Sequence, residues 1–199
     1  VEGAGTLGGG VASIAPTNGA FGVVTVNTTT AAQTFTVTNN TGATVTGISA
    51  TVGTTSPASS ANVFARSGGT CGTVATPTTL TNSSTCTILV TFTPTAGVGY
   101  TGTVDVSASV GILGSPVTLS GTGNIPVGIG SVTGGPLAFG NVNVGSTATQ
   151  TLTLNNTGTA NLTGITLGAF PTGFSRSGGT CTATLAPGSC TIIVQFAPT

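Results

Sequence analysis

FSRSGGTCTATLAPGSCTIIVQFAPT, residues Phe174 to Thr199, restates what Phe64 to Thr95 has already spelled as FARSGGTCGTVATPTTLTNSSTCTILVTFTPT. In each copy a Ser-Gly-Gly-Thr-Cys turn leads, through a loop of different length, to a second Cys that opens an alternating segment ending in Phe-x-Pro-Thr. Cys86, Ile88, Val90 and Phe92 share one side of an extended chain, and Thr85, Thr87, Thr91 and Thr93 share the other. Cys190, Ile192, Val194 and Phe196 repeat the inward set. The alternation predicts one half-buried strand, written twice. Leu89 and Ile193 break the polar side of that pattern and are the candidate lateral contacts between chains.

Outward from this core the repeat extends over most of the chain. AFGVVTV at Ala20 and AFGNVNV at Ala138 stand 118 residues apart, which fixes the period. QTFTVT at Gln33 to Thr38 and QTLTL at Gln150 to Leu154 alternate in the same way, and each runs into Asn-Asn-Thr-Gly, at Asn39 to Gly42 and Asn155 to Gly158. Such residues tolerate positive φ, so a hairpin is expected there, leading to strands around Val45 to Val52 and Leu162 to Phe170. Gly8 to Pro16 and Ala20 to Val26 read as the first strands, and Gly53 to Asn62 as an irregular crossover. Gly99 to Val110 and Ser115 to Gly121 supply the last two strands of the first copy. The second copy stops at Thr199, the counterpart of Thr95. Val1 to Gly5, VEGAG, aligns with LSGTG at Leu119 to Gly123. The expected organisation is therefore 1–5 as the closing strand of a preceding repeat or a donated strand, 6–124 as repeat one, and 125–199 as repeat two without its last two strands. The fold class is all-β, with tandem sandwiches and no amphipathic helix.

Composition narrows function by exclusion. Of 199 residues only Glu2, Arg66, Asp105 and Arg176 carry formal charge, and there is no His. General acid–base work needs paired titratable groups, and a hydrolytic triad needs a basic partner that this chain lacks, so no catalytic residue and no cofactor site is expected. Two isolated Arg and no Lys give no footprint for nucleic acid. Two carboxylates do not make a calcium site. The mean hydropathy of +0.49 comes from apolar positions alternating with Thr, and no run reaches the roughly 18 apolar residues of a spanning helix. Four cysteines fall as two local pairs, Cys71 with Cys86 and Cys181 with Cys190. Two Cys per unit without His cannot close a structural zinc site, so disulfides are expected, which implies an oxidising compartment.

LAFGNVNVGSTATQTLTLNNTGTANLTGI at Leu137 to Ile165, the Ser-Gly-Gly-Thr-Cys to Cys-Thr-Ile segment ending in FAPT, and the GYTGTVDV to VTLSGTG closure of copy one together resemble the bacterial choice-of-anchor D repeats. These belong with the Hydin-like and abnormal-spindle-like immunoglobulin-like sandwiches. The resemblance implies tandem seven-stranded sandwiches in large exported proteins, used as spacer or scaffold, with no catalytic residues to carry over. A longer inter-cysteine loop in copy one and the absent last strands in copy two depart from the pattern.

Weaker signals have bland readings. Arg66 and Arg176, at equivalent places before the turn, are expected to satisfy nearby carbonyls rather than meet a ligand. Tyr100 stands where a tyrosine corner would fix a connection. The Thr-x-Thr ladders could face ice or carbohydrate, but Thr is first a good outward strand residue. Sequons at Asn27, Asn39, Asn82, Asn155 and Asn161 leave glycosylation open.

The functional expectation is a structural segment of an exported fibre, stalk or surface filament, extracellular or at the cell surface, whose partners are flanking repeats or further copies of itself, head to tail. The alternative is an adhesin-type module recognising glycan, ice or another surface. Missing last strands leave an open sheet in repeat two, to be covered either by continuation of the chain or by a strand donated from a neighbour. Val1, Gly3 and Gly5 are the candidate contacts for donation.

Overall fold

Alternation of apolar and Thr residues on a chain of β-branched side chains favours extended pairing over helix, and the computed structural model, which describes residues 10–58 and 62–199, is all β. In chain order the strands of the first unit are β1 (Ala12–Ala15), β2 (Asn18–Thr25), β3 (Gln33–Asn39), β4 (Val45–Ser56), β5 (Phe64–Gly68), β6 (Thr78–Leu80), β7 (Thr85–Phe92), β8 (Gly99–Ser107), β9 (Ile112–Leu113) and β10 (Val117–Asn124). Those of the second are β11 (Gly130–Thr133), β12 (Ala148–Asn156), β13 (Leu162–Thr163), β14 (Phe174–Gly178), β15 (Thr184–Leu185) and β16 (Gly188–Phe196). The chain divides into two compact units, Val1–Ile125 and Pro126–Thr199.

Unit one is an immunoglobulin-like sandwich. One sheet has the order β5-β7-β3-β1-β9, the other β2-β10-β8-β4-β6. All pairs are antiparallel except β1 with β9 and β10 with β2. The inward sets of facing strands fill the space between the sheets: Phe35 and Val37 from β3, Ile88, Val90 and Phe92 from β7, Val104 from β8, and Val117 and Leu119 from β10 are all fully buried. A ring cluster anchors one end, where Phe64 and Phe92 stack with centroids 4.8 Å apart and Phe21 and Tyr100 lean on them at 5.6 to 5.8 Å. Gly102 and Gly121 make room for it, because a Cβ at either would come within 2.6 Å of Phe64 or Phe92.

Unit two repeats the first sheet faithfully. Its order β11-β12-β16-β14 copies β1-β3-β7-β5, and Phe139, Phe174 and Phe196 copy the ring cluster, with Phe174 stacked on Phe196 at 4.6 Å. Of the second sheet it holds only the two-residue pair β13–β15. The counterparts of Ile88 and Val90, Ile192 and Val194, are buried, but Phe196 is only half-buried.

Three sequence expectations need correction. Asn39 to Gly42 is not a hairpin turn: β3 and β4 lie in different sheets, so the turn carries the chain across the sandwich. Gly53 to Asn62 is not wholly irregular, since β4 continues to Ser56 and pairs Gly53 with Thr103 and Thr54 with Gly102. In unit two the strand expected over Leu162 to Phe170 is two residues long, and Ala138 to Val144, the text that forms β2 in unit one, forms no strand. The common cause is pairing. β2 is held by β10 and the far half of β4 by β8, and unit two has neither partner among the described residues.

Candidate functional site: two disulfide corners and an open sheet

Arg66 sits on β5 where the register with β7 slips between Arg66 and Gly68, which turns its side chain over the loop that follows. Its Nε donates to the carbonyl of Gly68 (3.2 Å), Nη1 to Gly72 (2.8 Å) and Ala50 (3.4 Å), and Nη2 to Cys71. Arg176 repeats this on β14, with Nε donating to Gly178 at 3.0 Å and Nη2 to Cys181 at 2.6 Å. The two guanidinium groups thus hold the turn's own carbonyls. An open hollow of about 610 Å³ lies beside the first, lined by Arg66, Gly69, Cys71, Thr73 and Pro77 among others.

Cys71 is bonded to Cys86 and Cys181 to Cys190, with Cα atoms 4.8 and 4.9 Å apart. The same backbone ties flank both: the N–H of Cys71 donates to Thr87 and that of Cys181 to Thr191, at 3.0 and 3.1 Å. Thr70 and Thr87 exchange backbone N–H to hydroxyl bonds, as do Thr180 and Thr191. Gly69 and Gly179 enter the corner at φ +107° and +105°, so close to the Thr87 and Thr191 carbonyls that a Cβ would overlap them. The conformation and the space both demand glycine, which is why Ser-Gly-Gly-Thr-Cys recurs as a block.

Asn39 and Asn156 are the residues that the sequence reading missed. Both are buried. Asn39 Nδ2 donates to the carbonyls of Ala43, Leu80 and Thr81, and its Oδ1 accepts from the N–H and hydroxyl of Thr41. Asn156 Nδ2 donates to Ala160 and Leu185 while Oδ1 accepts from Gly158 and Ile129. Each side chain stitches the end of its strand to the crossover loop and to β6 or β15. The signal was present: Phe35, Val37 and Asn39 share a parity, as do Leu152, Leu154 and Asn156, so the alternation already pointed both amides inward. It also shows that Asn39 answers to Asn156, not to Asn155, and that the Asn39 sequon is closed by burial.

Tyr100 makes the expected corner, its hydroxyl accepting from the N–H of Ala96 at 2.8 Å and of Thr95 at 3.3 Å. Leu89 and Ile193 are half-buried on the outer faces of β7 and β16, opposite Thr34 and Gly68 and opposite Thr151 and Gly178 respectively. Val1, Gly3 and Gly5 lie outside the described residues. Among the described residues no three His, Cys, Asp or Glu side chains gather as metal ligands, and no helix is long and apolar enough to cross a membrane.

Among the described residues, unit two exposes apolar side chains at places that unit one buries. Gln150 still donates to the Ala138 carbonyl at 3.0 Å, as Gln33 does to Ala20 at 2.7 Å, so the segment answering to β2 is tethered although unpaired. Leu167 is 40% exposed where its counterpart Ala50 is 5%, and Val144 is 75% exposed.

No protein-family model matches the chain, and no curated protein matches it. Among solved structures it is similar to the ASH/PapD-like domain 7 of human CEP192, at 15% identity over 63% of this chain and 93% of that one, with a TM-score of 0.40. It is also similar to the class 5 fimbriae chaperone CfaA, at 8% identity over 90% and 83% with a TM-score of 0.39. A third is the CsuC–CsuE chaperone–tip adhesion subunit complex of Acinetobacter baumannii, at 11% over 76% and 79% with a TM-score of 0.38. At these scores the matches carry no argument about function.

Proposed function

We propose that the chain is a structural repeat segment of an exported fibre, stalk or surface filament, related to the choice-of-anchor D repeats and assembled head to tail. The observation that supports this reading is the asymmetry between the units. Unit two keeps the ring cluster, the disulfide corner and the four-stranded sheet of unit one, yet among the described residues it leaves Val144, Leu167 and Phe170 exposed. An apolar face beside unpaired strand edges is a surface that associates, and a chain with four formal charges has little electrostatic repulsion to oppose it. The disulfides fit an extracellular or cell-surface setting.

Sedimentation velocity and negative-stain microscopy of the oxidised chain test the reading. Linear species that lengthen with concentration are expected. A monomer at every concentration, with unit two unfolding cooperatively, would overturn it. Micromolar binding on a glycan array by such a monomer would move the assignment to the adhesin alternative.

A further inference from the structure

We infer that the parallel pair β2–β10 is a tension clamp, the element that decides how strongly unit one resists being pulled open along the chain. This deepens the stalk reading and rests on it only for the use of the device. The observation is topological. Six residue pairs join the two strands, from Asn18 opposite Thr118 to Thr25 opposite Asn124, and the N–H of Val26 adds a bond to the Asn124 carbonyl at 2.9 Å. Because the strands run parallel, the start of β2 and the end of β10 lie at opposite ends of one ladder. Load carried by the chain enters unit one through β1 and β2 and leaves it at Asn124, which leads on to β11 at Gly130. The two strands are then drawn past each other, and their bonds must give way together. In an antiparallel hairpin the two free ends lie side by side, and the same load would open the bonds one at a time.

Three features keep this ladder from slipping. The register carries a bulge, since Ala20 to Val23 stands against Ser120 to Thr122, one residue fewer, and Gly22 within it adopts φ +69°. A displaced ladder cannot re-form around the extra residue, so slippage brings no partial relief. The inner face is interlocked: a Cβ at Gly19 would come within 2.6 Å of Phe35 and 2.8 Å of Leu119, so β2 lies directly against the side chains it would have to cross. Each strand is also backed. β10 pairs along its other side with β8, and β1, just ahead of β2, pairs with β3 and β9 in the opposite sheet. With β1 pulled free, the load still falls on β2 and β10 from end to end.

The disulfide corner stands outside this path. It joins Cys71 to Cys86, and neither residue belongs to a clamp strand. Its part comes after the clamp has opened, when it withholds its 15-residue loop from the extending chain.

Single-molecule pulling on the full oxidised chain tests the inference through the direction of load. Maleimide handles on Val11→Cys and Ile125→Cys, both exposed positions, load the ladder from end to end. Handles on Thr28→Cys, also exposed, and Ile125→Cys load it from the one end where β2 and β10 both finish. At a fixed force the lifetime of unit one is expected to be about tenfold longer or more in the first geometry, the factor that one or two further bonds breaking together are worth. Thermal unfolding of both double variants confirms that they fold alike, so that only the direction of pull differs. Reduction should lengthen the opened chain by about 50 Å, 15 residues at roughly 3.5 Å each, which marks the event as unit one. It should leave the lifetime unchanged, because the bridge acts on the unfolded chain. Equal lifetimes in the two directions, or a lifetime that reduction shortens as much as the change of direction does, overturn the clamp and leave the head-to-tail reading intact. A monomeric parent chain overturns that reading and leaves the clamp standing.

Discussion

Asn39 shows how much one side chain decides. Its amide and carbonyl together meet the carbonyls of Ala43, Leu80 and Thr81 and two donors of Thr41, and no aliphatic residue can replace that set at a buried site. Asn39→Ala is expected to destabilise unit one by about 2–3 kcal/mol, because the carbonyls of Leu80 and Thr81 lose a buried donor. The equivalent Asn156→Ala should cost about 1 kcal/mol, the single net hydrogen-bond value, since the loop it holds is more exposed. Urea unfolding of the two variants checks the order, and equal losses would count against the burial argument. The inward parity of these amides was legible in the sequence. What hid them is their chemistry, because Asn before Thr and Gly also spells a turn.

At the scale of elements, the strands of unit one were legible because Thr alternates so regularly with Val, Ile and Phe. The sheet joined by each strand was not. A turn motif says that the chain changes direction, but whether β4 pairs with β3 or crosses to the other sheet depends on partners far along the chain, β8 above all. The same dependence explains why AFGVVTV is a strand and AFGNVNV is not. The corner that closes each β7-type strand was legible as a block, since a cysteine, two glycines and an arginine recur together, although the hold of Arg66 on four carbonyls needed coordinates. Replacing Cys71 and Cys86 with Ala is expected to cost unit one about 3 kcal/mol, and replacing Cys181 and Cys190 about 2.6 kcal/mol in unit two, on the chain-entropy account of loops closed by 15 and 9 residues. Chemical denaturation of each pair tests this, and a loss near zero would mean that the arginine and threonine bonds hold the corner without the bridge.

Over the whole molecule the two units are the same design at two stages of closure, and stability should follow closure. In unit one both sheets cover each other, so backbone bonds in β3, β7 and β8 open only with the unit as a whole. In unit two the four-stranded sheet keeps its ladder, but residues 138–144 and 164–173 form no strand and include exposed Val144, Leu167 and Phe170. Hydrogen exchange should therefore divide unit two, slow in β12 and β16 and fast across those two segments at concentrations where the chain is monomeric. Raising the concentration separates the causes. If a neighbouring chain supplies the missing strand, the segment at 138–144 gains protection as assembly proceeds, because a parallel partner takes up its free backbone groups as β10 does for β2, whereas 164–173, which needs a β8-type partner, gains less. Protection rising equally in both segments would point to a donated strand pair, and protection that does not change on assembly would show that the open side of unit two is not where chains meet.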